Sequence, residues 1–313
     1  MAVSGTVPTE LGDKKIRDLL MQYAVPAIIA MTASSLYNMV DSIFIGHIKD
    51  VGSYAISGLA VTFPLMNIST ALGTLVGVGA STILSMLLGQ RNYQAANKVI
   101  INEVMLNVII GTLYTVITLV FLDPILMFFG ASANTLPYAR DYMVIILIGN
   151  VITHLYFGLN NIIRASGNPK LAMALTIFTV VSNTILDPIF IFWLDMGIKG
   201  AALATVICQL LALVYTVRYF LSGKNYLRLP RRMSEYRLDW RIAKDSLTVG
   251  MGPFLMNSAA CIVTMFINQQ LSKYGGDLAI GAYGIVNRFT FLFIMVNMGL
   301  NQGMQPIAGY NFG

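Results

Sequence analysis

A chain of 313 residues that is 56% hydrophobic and only 11% charged is no ordinary soluble domain, in which about a quarter of residues carry charge. No water-soluble fold hides that much apolar surface, so the solvent is lipid, and the net charge of +6 reports orientation in a membrane rather than nucleic-acid binding. The two cysteines, Cys208 and Cys261, both lie in apolar runs, which excludes a disulfide framework and CxxC metal chemistry.

A membrane helix needs about 20 mainly apolar residues to cross roughly 30 Å of hydrocarbon. That ruler predicts spans at 19–46, 52–88, 95–122, 138–163, 170–194, 198–221, 244–272 and 278–310. The breaks 47-HIKDVG-52, 89-GQRNYQ-94, 130-GASANTLP-137, 165-ASGNPK-170 and 195-DMGIKG-200 are rich in Gly, Pro, Asn and Asp, which is turn chemistry. The N-terminal stretch has no compact apolar core followed by a cleavage site, so it is not read as a removable signal.

Lys14, Lys15 and Arg17 before the first span, Arg91, Lys98, Arg164 and Lys170 in alternate connections, and Arg218 to Lys244 around the longest polar interval all fall on one side. The other side holds only Lys49, Arg140, Lys199 and Lys273, with Arg288 inside the last span. This asymmetry predicts a cytoplasmic N-terminus. The expected organisation is a cytoplasmic tail at 1–18, a six-helix bundle at 19–222, a basic linker at 223–243 and the start of a second bundle at 244–313, with 236-YRLDWRIAK-244 as an interfacial helix.

The second part echoes the first. Placing 251-MGPFLMNSAACIVTMFIN-268 under 24-AVPAIIAMTASSLYNMVD-41 aligns Pro253 with Pro26 and Asn268 with Asp41; after a short gap, Gly303 and Gly313 fall under Gly79 and Gly89. The fold class is therefore an all-α polytopic membrane protein: a six-helix N-terminal bundle plus the first two helices of a second, repeat-related bundle. Paired bundles around a cavity are a transporter architecture. On this reading the chain is C-terminally incomplete.

Two acids sit where acids are expensive. Asp41 in 36-LYNMVDSIFIG-46 and Asp187 in 182-SNTILDPIFIFW-193 are each embedded in an apolar span. A charged carboxylate there costs about 2.5–3.5 kcal/mol on insertion scales. At roughly 1.5 Å per residue, both fall at similar depth in the outer half of the bilayer and can share one site. Asn183 lies one turn before Asp187 on the same face, Thr205 on span six reaches the same level, and Pro188 leaves the carbonyl of Thr184 without its helical donor. This oxygen-rich set suits a hard cation such as sodium. Two carboxylates so close can equally be neutralised by a proton, and the residues do not choose. An intramembrane aspartate can also cap a broken helix or bond a neighbouring asparagine.

The segments 37-YNMVDSIFIG-46, 164-RASGNPKLAM-173, 183-NTILDPIFI-191, 200-GAALAT-205 and 299-GLNQGMQPIAGYNFG-313, in this order, resemble the multidrug and toxic compound extrusion (MATE) family, nearer its DinF-like and MepA-like branches. The resemblance covers nearly the whole chain, which corresponds to about the first two-thirds of a typical member. It implies the MATE/MOP-type fold in a bacterial cytoplasmic membrane and a secondary antiporter, not an enzyme, which exports organic cations in exchange for protons or sodium ions. It places Asp41, Asn183, Asp187 and Thr205 at the family's cation-binding positions and makes Pro26 a hinge of span one. Asn268 replaces an acid at the repeat position, so no matching site is expected in the second half.

Tyr37 and Asn38, a turn before Asp41, are the substrate-cavity candidates; His154 is read as a packed or hydrogen-bonded residue rather than a proton relay. No cofactor, no metal beyond sodium and no obligatory protein partner is expected; the partners are small-molecule drugs and the lipid bilayer. A flippase for lipid-linked sugars of the same superfamily is the nearer alternative, but the spans offer little basic charge beyond Arg288 for a pyrophosphate. An intramembrane aspartyl protease would show YD and GxGD where this chain has MVD and ILDP, and a TVGYG-like channel filter is absent.

Overall fold

The computed structural model describes residues 10–49, 51–222 and 226–313, with side chains described only in part over 261–292. The readings made for Lys224, Cys261, Asn268, Lys273 and Arg288 fall outside the described groups. Among the described residues the fold is entirely helical. A short α1 (Glu10–Asp13) precedes α2 (Ile16–Gly46), α3 (Gly52–Gly89) and α4 (Tyr93–Val120); α5 (Leu122–Phe128), α6 (Leu136–Ile148) and α7 (Asn150–Ala165) follow, then α8 (Pro169–Pro188), α9 (Ile198–Leu221) and α10 (Trp240–Phe312).

Five helices are long and apolar enough to cross a membrane: α2, α3 from Tyr54, α4, α8 with its continuation to Trp193, and α9. α6 and α7 pass the same test only as a pair, bent by 54° at a short break. The sequence predicts a span at 138–163, and the helix there is broken and bent at Gly149. Any Cβ at Gly149 would collide with the side chain of Val206 on α9. Just past the break Asn150 turns inward, where its amide donates to the carbonyl of Gly111 at 3.3 Å.

The last long element is paired with α3 at both ends. The carbonyl of Ser246 occupies the space a Cβ on Gly79 would take, and Gly250 meets the backbone of Leu75 in the same way. Far along the chain, Gln305 Nε2 donates to the carbonyl of Val78 and to Ser81 Oγ, each at 3.0 Å. A straight helix would separate Ser246 from Gln305 by roughly 90 Å. The segment Trp240–Phe312 therefore runs out from α3 and returns to it. Gly303 then packs on the backbone at Ala24 of α2, the close approach that small residues permit between membrane helices.

Two apolar clusters hold the bundle. One joins Ile45, Leu65, Leu122, Met143, Leu147, Ile191 and Ile198; the other joins Leu84, Leu88, Ile100, Tyr156, Leu159, Phe220 and Leu227. On α9, Ala201 and Ala204 are fully buried and Gly200 lies against the backbone of Phe190. Gly197, just before α9, does not serve close packing. It has φ +54° with open space around it, so its freedom serves the turn into α9.

The basic linker is tied down rather than loose. Asn97 of α4 donates to the carbonyl of Tyr226 at 3.2 Å and accepts from the amide of Arg228 at 2.8 Å, while Asn102 accepts from the amide of Asp239 at 2.9 Å. The Tyr226 hydroxyl, buried against the carbonyl of Ser166, is pushed well above the usual phenol range by desolvation. The interfacial helix expected over 236–244 starts only at Trp240, with the Asp239 carboxylate as its cap. Arg164 is buried at the end of α7, where its guanidinium donates to Asn161 and Asn160.

Candidate functional site

The two membrane acids are brought together by helices that cross side by side. Asp41 lies near the end of α2 and Asp187 near the end of α8, and both are buried. Asp187 precedes Pro188, after which the helix loosens into a single π turn at Ile189–Trp193. Such a widened turn frees backbone groups from the regular ladder and is frequent where helices carry function.

The one-turn spacing on α8 has the expected effect. Asn183 Nδ2 donates to Asp187 Oδ1 at 2.6 Å. Thr205 Oγ1, from α9, lies 3.2 Å from Asn183 Oδ1 and 3.1 Å from the carbonyl of Ala201. The Tyr37 hydroxyl of α2 lies 3.1 Å from Thr205 Oγ1. Asn183 spends its amide donor on the carboxylate, so its oxygen must accept, and Thr205 is positioned to donate to it. Thr205 has one proton to offer to Asn183 Oδ1 and the carbonyl of Ala201, and its oxygen can accept from Tyr37. The contacts join Tyr37, Thr205, Asn183 and Asp187 in one connected network.

Beyond that network the carboxylates are short of partners. Asp187 Oδ2 and Asp41 Oδ1 are buried with no hydrogen bond. Asp187 lies within electrostatic reach of Asp41, and among the described residues no Lys, Arg or His offsets the charge of either. The ion pairs Lys14–Glu10, Lys98–Asp239, Arg140–Asp123 and Lys199–Asp141 all involve other acids, at exposed or half-buried positions. Two buried acids without a counter-charge demand a cation, whether a proton or a metal ion supplies it. The oxygens available to hold one are Asp41 Oδ1 and Asp187 Oδ2, with Asn183 and Thr205 behind them.

Tyr37, read from sequence as a cavity residue, turns its hydroxyl into this network, whereas Asn38 is exposed. Pro26 lies within the unbroken run of α2. Tyr142 of α6 is an addition that the sequence reading does not contain: it is buried and within electrostatic reach of both aspartates. A tyrosine in an apolar run carries no signal that would mark it.

A second buried polar group lies deeper in the bundle. Ser69 Oγ donates to Asn150 Oδ1 at 2.6 Å and lies 3.0 Å from His154 Nε2, while His154 Nδ1 has no partner. Glu103 of α4, completely buried, accepts from Asn107 at 2.5 Å. The reasoning that marks Asp41 marks Glu103 equally, since 100-IINEVMLN-107 places an acid in an apolar run, yet the sequence reading passes over it. Among the described residues no cluster of three or more His, Cys, Asp or Glu is arranged to hold a metal.

The family model for MatE matches residues 26–189 and 253–313. The multidrug export protein MepA of Staphylococcus aureus is 30% identical over 293 residues, covering 94% of this chain and 64% of that protein. MepA of Staphylococcus haemolyticus is 32% identical over 300 residues, covering 96% and 65%. The chain therefore spans just under two-thirds of the length of these relatives. Among solved structures, a ligand complex of the MATE multidrug transporter DinF-BH is 36% identical and superposes with a TM-score of 0.89, covering all of this chain and 68% of that one. A MATE structure in complex with MaD3S, at 24% identity, shares the fold with a TM-score of 0.90 over 98% of this chain and 68% of that one.

Proposed function

Because the chain belongs to the MatE family of multi-pass membrane transporters, we propose that it works as a secondary antiporter that exports organic cations and other drugs in exchange for protons or sodium ions. The observation that carries this reading is the pair of buried, unpartnered carboxylate oxygens, Asp41 Oδ1 and Asp187 Oδ2, with Asp187 held by the Asn183–Thr205–Tyr37 hydrogen bonds. Asp41 and Asp187 bind the coupling ion. Asn183 and Thr205 orient Asp187, and Tyr37 anchors the chain to α2.

Coupling follows from the position of these groups on separate helices. With the site empty, the acids repel and α2 and α8 are held apart at this level; with a cation bound, both are drawn inward. Pro26 lacks the amide that would close the bond to the carbonyl of Gln22, so α2 can bend there at low cost. Bending moves the Tyr37–Asn38 turn and alters the surface offered to the drug. In this reading the N-terminus is cytoplasmic and the membrane is the bacterial inner membrane.

The test is uptake of a fluorescent rhodamine cation into everted membrane vesicles under an imposed proton or sodium gradient. Wild-type protein is expected to accumulate the dye with one of the two gradients, and Asp41→Asn and Asp187→Asn are expected to lose that response. Gradient-driven transport that survives both substitutions would make the acids structural.

A further inference from the structure

Glu103 stands outside the proposed coupling site. It lies about 15 Å along α4 from its first residue, on the inner side if the N-terminus is cytoplasmic, whereas Asp41 sits near the outer end of α2. Its exposure is 0%. One carboxylate oxygen accepts from Asn107, and the other, Oε2, has no partner. The recess is closed by the backbone of α7, because any Cβ added to Gly158 would overlap the carboxylate.

Among the described residues no charged group lies against this acid, and its one hydrogen-bond partner is the neutral amide of Asn107. The packed elements agree. From Gly52 to Gly89, α3 has no charged residue. On α7, His154 is bound to Ser69, and Arg164 is held by Asn160 and Asn161. On α10, Lys244 and Asp245 are exposed; on α4 itself, Lys98 pairs with Asp239. On α5 and α6, Asp123, Arg140 and Asp141 pair at exposed or half-buried positions. An unpaired carboxylate cannot remain ionised in such a place, so the closed recess holds the neutral acid. The acid can lose its proton only when α7 moves away and admits water or a cation.

Separate polar pairs lie outward of this recess. His154 lies one turn beyond Gly158 and is bound to Ser69; the neighbouring Thr153 is bound to Gln209 of α9, and Gln209 is one turn from Thr205 of the Asp187 chain. We propose that Glu103 is a second proton-binding site of the bundle, separate from Asp41 and Asp187, which exchanges one proton with the cytoplasmic side when α7 separates from α4. Its part in transport rests on the antiport reading; its protonation does not.

Infrared spectroscopy of the purified protein in lipid tests this directly. The sequence has glutamates at 10, 103 and 235, and the other two are exposed, so isotopic labelling of glutamate together with Glu103→Gln assigns the band to Glu103. At neutral pH we expect a protonated-carboxyl band that shifts on labelling, is absent from Glu103→Gln, and converts to carboxylate on alkaline titration or on addition of tetraphenylphosphonium. In weakly buffered solution, Glu103→Gln should release one proton fewer than wild type over that titration. Absence of the labelled band at neutral pH would overturn the proposal, as would a band that never converts. Asp41→Asn/Asp187→Asn protein should keep the band, so failure of the antiport reading leaves this result readable.

Discussion

Replacing Thr205 by valine removes one hydroxyl and almost no volume, and it cuts the hydrogen-bond network at its centre. Tyr37 loses its acceptor at 3.1 Å and Asn183 Oδ1 loses its donor at 3.2 Å, while the carbonyl of Ala201 keeps its helical environment. A buried polar group left without a partner costs about 1–3 kcal/mol. Two such groups, each partly relieved by local adjustment, imply a loss of about 2 kcal/mol. Since about 1.4 kcal/mol is tenfold in an equilibrium, the same disturbance should weaken binding of the coupling cation by up to about thirtyfold if Asn183 ceases to orient Asp187. Thermal unfolding of the purified protein reads the first quantity, and the proton or sodium concentration needed for half-maximal dye uptake reads the second. Thr205→Ser, which keeps the hydroxyl, should recover most of both. If Thr205→Val unfolds and transports like wild type, the chain from Tyr37 to Asp187 has no energetic weight.

Pro26→Ala restores the missing bond to the carbonyl of Gln22 and removes an interior proline, a change worth about 3 kcal/mol to a regular helix. The variant should be at least as stable as wild type on thermal unfolding but export dye more slowly; an unchanged rate would remove the hinge. Asn97→Ala deletes the bonds to Tyr226 and Arg228, each worth about 0.5–1.5 kcal/mol, and should speed tryptic cleavage at Arg231 and Arg232. An unchanged cleavage rate would mean that the linker is held by its apolar contacts alone.

Much of this protein is readable from local rules because lipid makes the penalties for breaking them large. Asp41 and Asp187 stand out because an acid in hydrocarbon is costly, and Asn183 follows from Asp187 because residues four apart share a helix face. Glu103 obeys the same rule and shows that the rule must be applied to every span. The bend at Gly149 is different: the Gly149-Asn150 pair is a weak local signal, and the packing of Gly149 against Val206 on another helix shows only in the tertiary structure.

The apolar composition, the succession of spans, the charge asymmetry and the presence of acids in hydrocarbon were determined by the sequence alone, since each depends on residue type or on neighbours within a turn. Which groups meet was decided by the tertiary structure. Tyr37 reaches Thr205 across 168 positions, Tyr142 comes within reach of both aspartates, and Gly158 closes over Glu103. In a membrane bundle nearly every helix face is apolar, so sequence periodicity does not say which face meets which; the fit of small residues against neighbouring backbones does.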